Sequence, residues 1–249
     1  MTSGISRTIG SDATSIPTPA PRISLIVMAY NEAASVGDVL REIDATLAPS
    51  SLSYEVLVVD DGSRDGTGEI ADVIAGTLPA MRVLHHDGNR GIGEVYRTGF
   101  AAARGELLTF LPADGQFPPE IIVRFAALME QADLVIGYLP DVRRSLPARI
   151  LSGCERLLYR LMFGRLPRFQ GIMMFPRPLL AELHVQPGGR GWGVLMEIVV
   201  KAVRAGKRVL SAPTALRPRA SGESKVNNLR SVWANLKQAA VLRIKLGPR

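Results

Sequence analysis

Between Ile23 and Tyr138 short β-rich runs alternate with helical patterns, and this alternation limits the fold more than any other feature of the chain. Ile23–Ala29, Tyr54–Val59, Arg82–His85, Leu107–Leu111 and Leu134–Tyr138 are apolar or β-branched runs of strand length. Val36, Val39, Leu40, Ile43 and Leu47 then recur at helical spacing after the first run, and Ile70, Val73 and Ile74 after the second. A third helix opens after the loop 87–93 and ends near Arg104-Gly105, and a fourth covers Pro119 to Gln131. Short crossovers between such strands are right-handed and force the strands parallel, with helices on both faces. The predicted fold class is α/β, a doubly wound, mostly parallel sheet.

Each apolar run stops at a polar cluster. The sharpest is Leu107 to Glu120, where Asp114, Gly115 and Gln116 follow the apolar residues and Pro118 and Pro119 suit the first turn of a helix. Asp114 and Gln116 are therefore expected just past a strand's C-terminal end, where open parallel sheets bind ligands. A carboxylate and an amide oxygen two residues apart are hard ligands, suited to Mg²⁺ or Mn²⁺ carrying a diphosphate. The same Asp reads equally well as a cap on the next helix. Tyr30-Asn31-Glu32, Asp60-Asp61-Gly62-Ser63 and the loop Asp87–Gly93 stand at the same kind of handover. Singly, each is ordinary turn chemistry. The glycine loop also lacks the third Gly of a dinucleotide fingerprint. Together, Glu32, Asp60, Asp61, the loop and Asp114 are expected on one edge of the sheet.

From Pro140 onward the character changes. Residues 1–140 hold 9 Lys and Arg against 18 Asp and Glu, a net of −9; residues 141–249 hold 21 against 5, a net of +16. Such a half attracts nucleic acid, an anionic membrane surface or a phosphorylated substrate. Its cations are mostly Arg, which favours phosphate forks. Aromatic content of 6% without a stacking motif argues against nucleic acid. Ala148 to Phe163 is amphipathic, with Ile150, Leu151, Cys154, Leu157, Leu158, Leu161 and Met162 in one stripe flanked by Arg149, Arg156 and Arg160. Base rates favour a core-facing helix; the alternative is a helix in a membrane interface. A strand is expected over Arg168–Phe175, a helix over Trp192–Ala205 interrupted by Glu197, and a strand over Lys207–Ala212. Arg217–Lys225 reads as a basic, flexible loop. Asn227–Leu246 reads as a last amphipathic helix with Leu229, Val232, Trp233, Leu236, Ala240 and Ile244 on one face.

No apolar run reaches the roughly 20 residues of a membrane span, and no signal-peptide pattern opens the chain. Cys154 is the single cysteine, which excludes an intrachain disulfide and suggests a reducing compartment. Met1–Pro21 reads as a disordered tail.

Ala-Tyr-Asn-Glu (29–32), Val-Val-Asp-Asp-Gly-Ser (58–63), Asn-Arg-Gly-Ile-Gly (89–93), Ala-Asp-Gly-Gln (113–116) and Arg-Ala-Ser-Gly-Glu-Ser-Lys (219–225) occur in that order. This set resembles the family-2 glycosyltransferases of the GT-A fold, nearest the dolichol- or polyprenyl-phosphate hexose synthases, from about Ile23 to the C-terminus. The resemblance implies an inverting hexosyltransferase that takes a GDP- or UDP-hexose donor and a polyprenyl phosphate acceptor. By the same resemblance Ala29, Tyr30, Glu32, Asp60 and Asp61 would hold the nucleotide sugar. Gly91 would let the backbone pass the nucleotide. Asp114 and Gln116 would ligate a divalent metal, Mg²⁺ or Mn²⁺, with Asp114 counted as catalytic. Arg219, Ser224 and Lys225 would close over the phosphates, Arg219 as a catalytic cation. Arg143, Arg144 and Arg149 would meet the acceptor phosphate.

The resemblance divides the chain into the tail 1–21, a glycosyltransferase domain 22–225 and a basic helix 226–249. Within the domain, 22–140 would be the nucleotide-sugar half and 141–225 the acceptor half. The expected setting is cytoplasmic, peripheral at the inner face of a membrane, with a membrane protein as a candidate partner. Two positions depart from the family pattern. Pro112 stands where the family places an Asp two residues before Asp114, which removes a carboxylate from the metal site. Pro167-Arg168-Phe169-Gln170 stands where an Asp often precedes the Gly matched by Gly171. Two alternatives stay open: a hydroxyl acceptor, which needs a base and for which Glu197 is the nominee, and a non-catalytic nucleotide-sugar-binding homologue. Glu197 reads first as a helix residue bonded to a nearby Arg.

Overall fold

The computed structural model describes residues 20–140, 153, 157–169, 171–185, 191–217 and 229–247. Seven strands form one sheet: β1 (Ile23–Ala29), β2 (Tyr54–Asp60), β3 (Met81–His85), β4 (Leu107–Pro112), β5 (Leu134–Tyr138), β6 (Met173–Pro176) and β7 (Val209–Pro213). The helices are α1 (Val36–Leu47), α2 (Thr67–Ala75), α3 (Ile92–Ala102), α4 (Glu120–Leu128), α5 (Pro178–Glu182), α6 (Gly191–Arg204) and α7 (Leu229–Lys245). Residues 157–163 are also helical.

The strand order is β3-β2-β1-β4-β6-β5-β7. β1 to β4 are parallel where they pair, and so are β5 and β7. β6 alone runs the other way, between β4 and β5. The chain winds outward from β1 to β3 and then crosses back to β4, so β1 and β4 are neighbours whose crossovers leave in opposite directions. That is the switch point where open sheets of this kind place ligands.

Side-chain alternation along the strands sorts the core into two layers. Leu25, Val27, Val56 and Val58 pack with Val36, Leu40 and Ile43 of α1 and Phe125 of α4. Ile26, Leu57, Val59, Leu108 and Phe110 pack on the other face with Val95 and Tyr96 of α3 and Ile198 and Val199 of α6. Burial in this apolar layer pushes the Tyr96 hydroxyl's pKa far up. At the edge where the strands begin, buried Glu55 accepts from Ser24 Oγ (2.6 Å), Arg104 N (2.7 Å) and Arg104 Nε (3.1 Å). Burial alone would raise this carboxyl, but those hydrogen bonds and the guanidinium charge outweigh it and lower the pKa below 4.5.

The expected alternation is present, with smaller bounds for some elements: the fourth helix covers Glu120–Leu128, and the strand expected from Arg168 begins only at Met173. Its antiparallel insertion was not legible, because four residues carry no directional signal; Thr109 Oγ1, buried in β4, donates to Met173 O (3.0 Å) and seals the pairing.

A third apolar cluster joins Phe163, Met196, Val200, Ala239 and Leu242, and so holds the 157–163 helix and α7 against α6. It corrects the expected faces of both outer helices. Leu157, Leu158 and Leu161 point to solvent, Leu161 at 73% exposure, where base rates favoured the core. On α7, Ala239 and Leu242 face inward, while Ile244, assigned to the apolar face, is 81% exposed and Ala240 is exposed as well. The face follows from which residues meet α6, and spacing alone does not give that. Glu197 is also bonded otherwise than expected: it is buried between Lys201 (2.6 Å) and Lys245 (3.3 Å), not beside an Arg. A carboxylate held by two ammonium groups is a packing joint between α6 and α7, which disfavours its nomination as a base.

Candidate active site

The parallel register places Ala29 of β1, Asp60 of β2 and His85 of β3 side by side, with Pro112 of β4 beside Met28. All four strands end on one edge. The loops that leave them carry Tyr30–Glu32, Asp60–Ser63, His86–Gly91 and Asp114–Gln116, as the sequence led one to expect.

The loop after β1 is tied to the loop after β2. Asn31 takes a left-handed backbone (φ 53°), its amide donates to Ser63 Oγ (2.9 Å), and its side-chain oxygen accepts from Arg64 N (3.0 Å). Glu32 N donates to Thr67 Oγ1 (2.8 Å) and Ala33 N to Asp65 Oδ2 (3.1 Å). Asp65 also accepts from Thr67 N (3.1 Å). Burial works to raise the Asp65 carboxyl, but these donors outweigh it and its pKa is lowered. Ser63, Asp65 and Thr67 thus shape the loop that presents Tyr30 and Glu32. Sequence reading passed over them; the Ser-x-Asp-x-Thr spacing after the Asp pair was the available signal. Tyr30 is more than one-third exposed.

Asp60 and Asp61 are both buried but do different things. Asp60 Oδ1 accepts from Ser63 N (3.2 Å) and Ser63 Oγ, and its Oδ2 faces His85 Nδ1 (3.3 Å). Asp61 turns toward the glycine loop. Its Oδ1 meets His86 Nδ1 (2.7 Å) and accepts from Arg90 N (2.9 Å), and its Oδ2 accepts from Gly91 N (2.9 Å). His86 Nε2 in turn lies 2.8 Å from Thr98 Oγ1 on α3. Gly62 (φ 70°) lies so close to Gly88 that a Cβ on it would stand 2.4 Å from the Gly88 Cα, so these two loops can touch only through glycines.

Asp114 is buried beyond β4, in a turn made by Gly115 (φ 71°), and its Oδ1 accepts from Gln116 N (3.0 Å). The turn is anchored on both sides. Ser35 Oγ donates to Ala113 O (2.8 Å), and Arg217 N donates to Gln116 O (2.8 Å). The Arg217 guanidinium reaches Glu42 of α1 (2.6 Å) and Glu120 of α4 (3.7 Å). The edge therefore gathers Ala29, Tyr30, Glu32, Asp60, Asp61, Gly91, Asp114 and Gln116. Arg143, Arg144, Arg149, Arg219, Ser224 and Lys225 lie outside the described residues.

Residues 24–173, more than half of the chain, match the family described as glycosyl transferase family 2. The chain belongs to this family. It is 31% identical over 217 residues to the undecaprenyl-phosphate mannosyltransferase of Micrococcus luteus, a match covering 83% of this chain and 88% of that protein. It is 28% identical over 225 residues to the dolichol-phosphate mannosyltransferase of Pyrococcus furiosus, covering 82% of this chain but only 59% of that protein. Among solved structures, the mannosyltransferase PcManGT of Pyrobaculum calidifontis, in complex with GDP-Man and Mn²⁺, superposes with a TM-score of 0.66 at 23% identity, over 93% of this chain and 66% of that one. Glucosyl-3-phosphoglycerate synthase of Mycobacterium tuberculosis, with Mn²⁺ and UDP, gives 0.64 at 22%, over 90% and 79%. The fold is that of the GT-A glycosyltransferases, and the family-2 chain is a glycosyltransferase.

Proposed function

We propose that this family-2 glycosyltransferase moves a hexose from a nucleotide sugar to a polyprenyl phosphate at a membrane surface, with inversion at the anomeric carbon. The observation that carries the reading is the convergence of four strand-end loops, with buried Asp114 among them, at the β1/β4 switch point. The relatives that act on undecaprenyl and dolichol phosphates supply the acceptor class.

On this reading Tyr30, Glu32 and Asp60 bind the nucleoside, and Asp61 holds the glycine loop along which the nucleotide lies. Arg219, Ser224 and Lys225 bind the donor phosphates, and Arg143, Arg144 and Arg149 the acceptor phosphate. An oxygen of the acceptor phosphate attacks C1, and the bond from C1 to the donor diphosphate breaks. The electron pair leaves on the nucleoside diphosphate. A phosphate monoester is ionised near neutral pH, so no residue needs to remove a proton. Asp114 and Gln116 fit a divalent cation as hard oxygen donors on one glycine turn. Among the described residues no cluster of three or more His, Cys, Asp or Glu side chains is present, so the ion would rely on these two and on the donor phosphates, an arrangement common for Mg²⁺. When bound, such an ion supplies positive charge to the departing diphosphate.

Among the described residues no helix is long and apolar enough to cross a membrane. Exposed Leu157, Leu158, Leu161, Val241 and Ile244 on two adjoining helices, within a half of net charge +16, support attachment to the cytoplasmic face of a bilayer. A separate membrane protein would add to that anchor. The division at residue 140 into a donor half and an acceptor half belongs to the same reading.

The test is transfer of label from a panel of nucleotide sugars into the organic phase, with polyprenyl phosphate and with Mn²⁺, Mg²⁺ or chelator. Label should enter only when lipid phosphate and metal are both present, and Asp114→Ala should lower turnover by about 10²-fold or more. Transfer that persists in chelator removes the metal from the reading. No transfer from any donor refutes the reading.

A further inference from the structure

His85 closes β3 at the same edge, and no role has been given to it so far. Its ring stands between two carboxylates from different elements. Nδ1 lies 3.3 Å from Asp60 Oδ2 of β2, and Nε2 lies 3.1 Å from Asp72 Oδ1 of α2. Gly68 makes room for this arrangement, because a Cβ there would stand 2.8 Å from Asp60 Oδ2 and 3.2 Å from His85 Cε1. The other charged groups nearby point elsewhere. Glu69 of α2 shares a surface hollow with Arg41 of α1, and His86 is committed to Asp61 and Thr98. Asp60 and Asp72 are thus the charged groups bonded to this ring.

An imidazole with a carboxylate at each nitrogen satisfies both contacts only as the imidazolium, since the neutral ring has one N–H and would turn a lone pair toward the other carboxylate. We infer that His85 is a positioning residue for nucleotide-donor binding, whose protonated ring holds the Asp60 carboxylate in place and makes donor affinity fall as pH rises. This rests on the reading that Asp60 contacts the nucleoside. Asp60 has its other oxygen fixed by Ser63, so His85 is the second of the two contacts that set the plane of the carboxylate. Desolvation pulls the pKa of His85 down, but the hydrogen bonds and charges of Asp72 and Asp60 outweigh it and leave it raised above 6.5. Below that raised value both contacts are made. As pH rises through it, one is lost and Asp60 is free to rotate.

The experiment measures binding of UDP and of GDP, each with Mn²⁺, by calorimetry across pH 6 to 9 for the full chain and its variants, with thermal melts as the folding control. The wild type should weaken by about fivefold to tenfold across the range beyond the ligand's own titration, the loss expected for one charge-assisted hydrogen bond. Asp72→Asn should move that step to lower pH, because the ring loses one of the two carboxylates that hold its proton. His85→Gln should bind with little pH dependence, and His85→Ala should bind weakly throughout. A step that persists in His85→Gln, or His85→Ala binding as the wild type does, overturns the inference. Asp60→Asn separates this failure from failure of the underlying reading. If Asp60→Asn leaves binding intact, Asp60 does not contact the nucleoside and both fall; if it weakens binding while the His85 variants do not, only the role of His85 falls.

Discussion

Replacing Asp61 with Ala tests how the glycine loop is held. The carboxylate makes a 2.7 Å contact with buried His86 and accepts from two loop amides, Arg90 N and Gly91 N, each at 2.9 Å. Ala leaves the His86 ring without its partner inside the protein, at about 1–3 kcal/mol. The two amides lie near solvent and recover water, so each costs roughly 0.5–1 kcal/mol. The expected loss is about 3 kcal/mol, and at roughly 2–4 °C per kcal/mol in a chain of this size the melting temperature should fall by about 6–12 °C. Asp61→Asn keeps an acceptor for part of the set and should lose less. Urea unfolding followed by circular dichroism gives the stability, and nucleotide calorimetry on the folded fraction gives the donor affinity. A variant that loses donor affinity while keeping wild-type stability would refute the reasoning, because Asp61 would then serve the ligand and not the loop.

Other outcomes follow from other parts of the molecule. Glu55 has a folded pKa below its ordinary 4.5, so its stabilisation is full above the unfolded pKa and disappears as pH falls through the folded one. Glu55→Gln should therefore destabilise the protein at pH 7 and flatten the acid limb of its stability profile below about pH 4.5, read by thermal melts from pH 3 to 8. Leu161→Glu with Ile244→Glu should cut recruitment to anionic liposomes at low salt several-fold with no change in melting temperature, since both side chains are largely exposed; unchanged recruitment would place the membrane-facing surface elsewhere.

The alternation of β-rich runs with helical periods determined the sheet, because local spacing and burial push in the same direction from Ile23 to Tyr138. It also determined the edge on which Glu32, Asp60, Asp61 and Asp114 lie, since parallel strands joined by right-handed crossovers end together. Several things were decided only in three dimensions. β6 enters between β4 and β5 through pairings with residues more than 60 positions earlier in the chain for β4, and no local pattern encodes such a partner. Asp60 and Asp61 are chemically identical neighbours in sequence. Only the pleat, which turns successive side chains to opposite faces, sends one to Ser63 and His85 and the other to His86 and the glycine loop. The apolar stripes of the outer helices show the same division. Periodicity gives each helix a face, but whether that face meets protein or solvent depends on where α6 stands, and that is a property of the assembled core.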